Sequence, residues 1–198
     1  EITTRLVGSE MCIRDSLYRV QEEGGNAHEV NSYQTLSGYA GVVIGGGQTL
    51  TVNLAGAPGE ADGQGAKINN LMGATGSSLA VNNTGDGTAV VILNNKQMTT
   101  GEDDIDPAGQ DTVMGGSITG GSNVTFIKEG TGTLTVGGTM DVETLALREG
   151  NIILNGTENS LDTLTLEGGG LTISGNAEIE TITGTEAGGT LAIQGTLD

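Results

Sequence analysis

The stretch 144–156 (TLALREGNIILNG) recurs at 163–175 (TLTLEGGGLTISG) with one constant offset. Leu145 falls on Leu164, Leu147 on Leu166, Ile152 on Leu171, Leu154 on Ile173 and Gly156 on Gly175. Self-similarity at a fixed short period points to a solenoid, in which every copy is one structural layer. Within a copy the apolar residues alternate with polar ones, so each copy reads as two short strands with one apolar face, joined at a Gly corner. Two short strands alone are marginal in water. Stacked copies solve this, because each strand pairs with its counterpart in the next coil and the inward Leu, Ile and Val form a continuous ladder. The corner glycines suit turns that need positive φ.

The pattern extends with small slips. Thr181-Ile-Thr183 follows Thr163-Leu-Thr165 by 18, and Leu191, Ile193 and Gly195 follow Leu171, Ile173 and Gly175 by 20. That places a short insertion at a corner near Glu186 to Gly189. Upstream, Leu134, Val136 and Gly138 precede Ile152, Leu154 and Gly156 by 18. Four coils are readable from Val124 to Asp198. The fold class is therefore all-β: a right-handed parallel β-solenoid (β-helix) without its C-terminal cap. About 7–8 coils at roughly 4.8 Å each make a rod about 35 Å long. Three stretches divide the chain: 1–16, an irregular β-rich segment over 17–112 that reads as N-terminal coils or a cap, and regular coils with a period of 18–20 over 113–198.

Residues 6–16 (LVGSEMCIRDS) stand apart. They resemble, at every position, the in-frame translation of a transposase-type sequencing adapter, which implies an environmental gene fragment and takes this stretch out of fold reasoning. The only cysteine, Cys12, lies within it. The expectation is that the natural ends are missing on both sides and that solenoid coils of the isolated piece fray or self-associate through unpaired edges.

The chain holds 36 Gly in 198 residues, 2% aromatics and no Trp. A narrow solenoid tolerates this, since small aliphatics fill each layer. Formal net charge is −18, and removing residues 1–16 leaves it strongly acidic. Nucleic acid is excluded as a partner, because no basic patch exists to displace counterions. No run of 18 or more apolar residues is present, so no helix in this segment spans a bilayer.

Candidate chemistry is sparse. His28 is the only histidine, with neither a nucleophile turn nor an orienting carboxylate in sight, so no catalytic residue is assigned. Asp103, Asp104 and Asp106 crowd the acidic loop 99–111 and are the weak calcium candidates, against the plainer reading of a solvated loop. Asp141 with Glu143, and Glu178 with Glu180, each share a strand face, as a glycosidase pair would, but outward acids also keep a strand soluble. Thr-x-Thr pairs occur at Thr49/Thr51, Thr133/Thr135, Thr163/Thr165 and Thr181/Thr183. A regular Thr ladder could order water as on an ice-binding face; Thr is equally a good strand former.

The run at 126–138 (FIKEGTGTLTVGG) resembles the autotransporter-associated β-strand repeat, whose form is apolar-x-Lys-x-Gly-x-Gly-Thr-Leu-x-aliphatic-x-Gly, and 150–156 (GNIILNG) resembles its second half. After Gly138 the chain departs from the family, with Thr139-Met-Asp-Val in place of Asn-Thr-Tyr. The resemblance implies a non-enzymatic stalk or adhesin-like passenger of a bacterial surface protein. Such a passenger is exported across the outer membrane, needs no cofactor, has host or surface glycans or proteins as partners, and is followed by a C-terminal membrane β-barrel. A β-helix carbohydrate-active enzyme and a phage tail-fibre or cell-wall-anchored solenoid are the alternatives.

Overall fold

A computed structural model describes residues 17–20, 27–31, 36–56, 66–96 and 109–198. Among them every regular element is a strand. The chain opens with β1 (Leu17–Val20), β2 (Ala27–Val30), β3 (Gly41–Ile44), β4 (Thr49–Leu54) and β5 (Ala66–Asn69). It continues with β6 (Leu71–Gly73), β7 (Ser78–Asn83), β8 (Ala89–Asn94), β9 (Thr112–Met114), β10 (Ser117–Gly120) and β11 (Val124–Glu129). The regular coils hold β12 (Thr133–Val136), β13 (Met140–Leu147), β14 (Asn151–Leu154), β15 (Asn159–Leu166), β16 (Gly170–Ile173), β17 (Asn176–Gly184), β18 (Thr190–Ile193) and β19 (Thr196–Leu197).

All pairings are parallel and join each strand to its counterpart one coil on, which makes the chain a β-solenoid. Each coil has three strand rows, where the repeat alone shows two. The first row is the eight-stranded sheet β1-β3-β6-β9-β12-β14-β16-β18. The second runs through β2, β4, β7 and β10 into the first half of β13, where Ile118 pairs with Met140. The third runs through β5, β8 and β11 into the second half of β13, where Phe126 pairs with Leu145. From β13 onward one long strand bends to serve both the second and the third row, and Met140 and Val142 supply the buried face of the second.

The register agrees with the repeat arithmetic. Leu145 pairs with Leu164, Ile152 with Leu171, Leu134 with Ile152, Thr163 with Thr181 and Leu171 with Leu191. The inward columns form one core from Val20 to Ile179, with Phe126 the largest buried apolar side chain. The ladder also runs unbroken through β3–β8, where longer corner segments obscure the period in sequence. The extra residues near Glu186 form a corner turn, in which Gly188 N–H donates to Thr185 O.

The corners correct one reading. Gly116, Gly138, Gly156, Gly175 and Gly195 recur where the first row turns into the second, and none of them has positive φ. A Cβ on Gly138, Gly156, Gly175 or Gly195 would collide with backbone of the corner glycine one coil earlier. At these corners Gly permits close backbone approach between coils, so conformational freedom is not the reason for it. Positive φ occurs at other glycines, among them Gly130 and Gly150.

Candidate functional site

Buried polar groups cluster at the corners. Lys128 sits on β11 in an inward position, between Leu93 of the preceding coil and Leu147 of the next, and is fully buried. Its Nζ donates to Glu129 O and Gly130 O at 2.8 Å each and to Glu149 O at 3.4 Å. Burial lowers its pKa to about 8, while Glu149, Asp111 and Glu129 pull it back up. The ammonium thus takes up carbonyls left over where the third row turns back to the first.

Asparagines fill the same role in the earlier coils. Asn94 Nδ2 donates to Asn69 Oδ1 at 2.7 Å, and Asn69 Nδ2 donates to Tyr39 O at 2.8 Å. Asn95 Nδ2 reaches Gln110 O and Thr112 Oγ1. At the other corner, buried Asn159 donates to Gly156 O and Asn176 O and accepts from Met140 N–H. Among the described residues only Gln48 Oε1 is a buried side-chain polar atom without a partner. A further ladder, Asn82 to Asn53 to Asn31, runs along the exposed side of the second row.

Of the residues singled out from the sequence, Asp103, Asp104 and Asp106 lie outside the described residues. His28 occupies an inward column next to Leu50. Asp141 pairs with Ser160, which pairs with Glu178. Glu143, Asp162 and Glu180 stack in the adjacent column, between the registered pairs Val142–Leu161–Ile179 and Thr144–Thr163–Thr181. Glu143 Oε2 accepts Asn123 N–H at 2.7 Å, capping a turn in which Asn123 has φ 58°. Asp141, Asp162, Glu178 and Glu180 are exposed. Among the described residues no group of three His, Cys, Asp or Glu side chains converges as metal ligands would.

The threonine pairs fall on three different rows. Thr125, Thr144, Thr163 and Thr181 form one outward column, but its neighbour reads Ile127, Ala146, Thr165, Thr183. A double Thr column therefore exists only in the last two coils. Ile92, Ile127 and Ala146 form a small outward apolar cluster, bordered by an ion-pair chain: Lys67 to Glu129 at 3.0 Å, and Arg148 to Glu129 at 3.9 Å and Glu167 at 2.9 Å. These groups are partly exposed, so Glu129→Gln is expected to lower stability by only about 0.5 kcal/mol, vanishing in high salt. Thermal melts at two ionic strengths check this.

No family model matches this chain, and no curated protein or solved structure matches it either.

Proposed function

We propose that this chain is a non-enzymatic structural segment of an exported bacterial surface protein, a stiff stalk or adhesin-like passenger. The observation that carries the reading is what the repeat-like run at 126–138 does. Phe126 fills the core, Lys128 satisfies corner carbonyls, Gly130 takes φ 74°, and Gly132 and Gly138 sit where a Cβ would meet neighbouring backbone. Every one of these positions serves the stacking of one coil upon the next. A rod built this way holds its outward columns at a fixed spacing of about 4.8 Å, a surface suited to contacts with glycans or proteins outside the cell.

Sequencing the source DNA on both sides of this segment tests the proposal. An export signal upstream and an alternating-strand membrane barrel downstream are expected. A catalytic module, a cell-wall anchor or a tail-fibre module in their place would overturn the surface-passenger reading and leave the solenoid intact.

A further inference from the structure

The corner after β14 differs in chemistry from those stacked on it. Asn155-Gly156 is the one Asn-Gly step in the sequence. The register, carried one residue past each strand, aligns it with Gly137-Gly138 in the coil before and with Ser174-Gly175 and Gln194-Gly195 in the coils after. Gly138 N–H donates to Gly116 O at 3.0 Å, Gly175 N–H to Leu154 O at 3.1 Å and Gly195 N–H to Ile173 O at 3.0 Å. Gly156 N–H has no such partner among the described residues, and neither has Asn155 O, so the peptide unit between the two is held at neither end. Asn155 is exposed, and its side-chain amide is also without a hydrogen bond among the described residues. The amides of Asn69, Asn94, Asn95 and Asn159, by contrast, are all engaged.

We propose that Asn155 is a self-modification site, which the folded chain converts without an enzyme to aspartate and isoaspartate. Gly156 N attacks Asn155 Cγ and closes a five-membered succinimide. The Gly156 N–H proton is lost to solvent, and the displaced amide takes up a proton and departs as ammonia. Water then opens the ring. Breaking the bond from Gly156 N to Cγ gives aspartate. Breaking the bond from Gly156 N to the carbonyl carbon of residue 155 gives isoaspartate, in which the main chain runs through Cβ and Cγ. One water is consumed and one ammonia released. Intramolecular attack requires a nucleophile beside its electrophile and free to align with it. The unbonded N–H, the untied peptide unit and the untied side-chain amide meet that need. Glycine adds the rest, with no Cβ to shield its nitrogen and a wide choice of φ. Of the aligned steps, Gly137 and Ser174 offer no side-chain carbonyl, and Gln194 would need a six-membered ring.

The place of the step gives the product its effect. Leu154 is registered with Val136 and Ile173, and Asn159 Oδ1 accepts Met140 N–H. Between these two anchors Gly156 lies against Gly138 of the coil before. Isoaspartate adds one carbon to the main chain within that span, so the corner cannot keep both anchors and the close approach. Aspartate adds only a charge at an exposed position. The isoaspartyl form therefore loosens the coils that meet at this corner, and the aspartyl form leaves them packed. Residues 155–156 are the point at which the rod weakens with age.

Ageing the full chain in mildly alkaline buffer, with peptide mapping by mass spectrometry at intervals, tests this. Asn155 is expected to convert before any other asparagine of the described residues. Its rate in the folded chain should lie within about tenfold of the rate in guanidinium chloride, because the corner already leaves the reacting groups free to align. Asn155→Ser, which copies Ser174 of the next coil, should show no conversion here and unchanged hydrogen-exchange protection on ageing. The isoaspartyl fraction of the aged parent should lose protection in β12–β16, whereas Asn155→Asp should exchange like the fresh parent. A folded chain that converts at Asn155 more slowly than that tenfold margin overturns the proposal, since the fold would then be guarding the site. So does a different described asparagine converting first, or an isoaspartyl fraction that exchanges like the fresh protein.

Discussion

Gly156→Ala is expected to lower the stability of the central coils by about 3 kcal/mol or more, against nearly nothing for Gly38→Ala. Gly156 is buried at a corner, and its added methyl would be driven into Gly138 O and C of the coil before and onto Asn159 Oδ1. The obstacle is backbone on one side and a fully engaged amide on the other, since Asn159 already serves Gly156 O, Asn176 O and Met140 N–H. Neither can swing aside as a flexible side chain would. Relief requires the coils to separate at that corner, which lengthens the pairing of β12 with β14. Gly47→Ala isolates the other glycine effect: Gly47 has φ 70° and open space around its Cβ position, so only backbone strain of about 1 kcal/mol applies. Because a solenoid transmits stability between nearest neighbours, hydrogen exchange is the right readout. Protection should fall in β12–β16 and persist in β4–β8. A Gly156→Ala protein that melts and exchanges like the parent would show that coil spacing at this corner does not depend on the missing methyl.

The same glycines show what sequence could and could not reveal. The register of β12 to β18 was legible because the inward Leu and Ile recur at a nearly constant offset, and a strand's side-chain period of two leaves only one way to bury them. The second strand row was not legible. Met140, Val142, Leu161, Ala177 and Ile179 are buried, but they are interleaved with acids and are followed by a bend inside a continuous strand, so no Gly marks the corner. The earlier coils were hidden for a different reason. Leu50 pairs with Leu79 and that with Ile118, unequal steps that both exceed the later coil length, because extra residues are inserted between strands while the stacked strands keep their register. The reason for the corner glycines was also beyond the sequence, since positive φ and close backbone approach select the same residue. The buried asparagines gave no signal of their own: Asn is as common in turns as in caps, and only the pairing of Asn69 with Asn94 distinguishes these from solvated ones.

Lys128→Met is expected to cost about 2 kcal/mol near neutral pH, the scale of one buried carbonyl losing its donor, and the gap to the parent should widen as pH rises. Methionine keeps most of the volume between Leu93 and Leu147, so the change removes the amine with little effect on packing. Glu129 O keeps a partner in Asn95 N–H. Gly130 O has Lys128 Nζ as its hydrogen-bond donor, and leaving such a carbonyl buried and unpaired costs about 1–3 kcal/mol. The pH dependence follows from burial of the ammonium. The folded-state pKa is lowered to about 8 from the ordinary lysine value of 10.5, so between these values the unfolded chain holds a proton that the folded chain has released. Stability contributed by this site therefore rises with pH across that window, by about 1–2 kcal/mol. The neutral amine still has two hydrogens for the two bonds at 2.8 Å. Above pH 10 Tyr18 acts the opposite way: burial first, and Tyr39 second, raise its pKa, so the unfolded chain ionises earlier and stability falls. Tyr18 is common to both proteins and cancels in the difference between their melting temperatures. A difference that stays flat from pH 7.5 to 10 would mean that Lys128 titrates as a solvated lysine and that the corner is open to water.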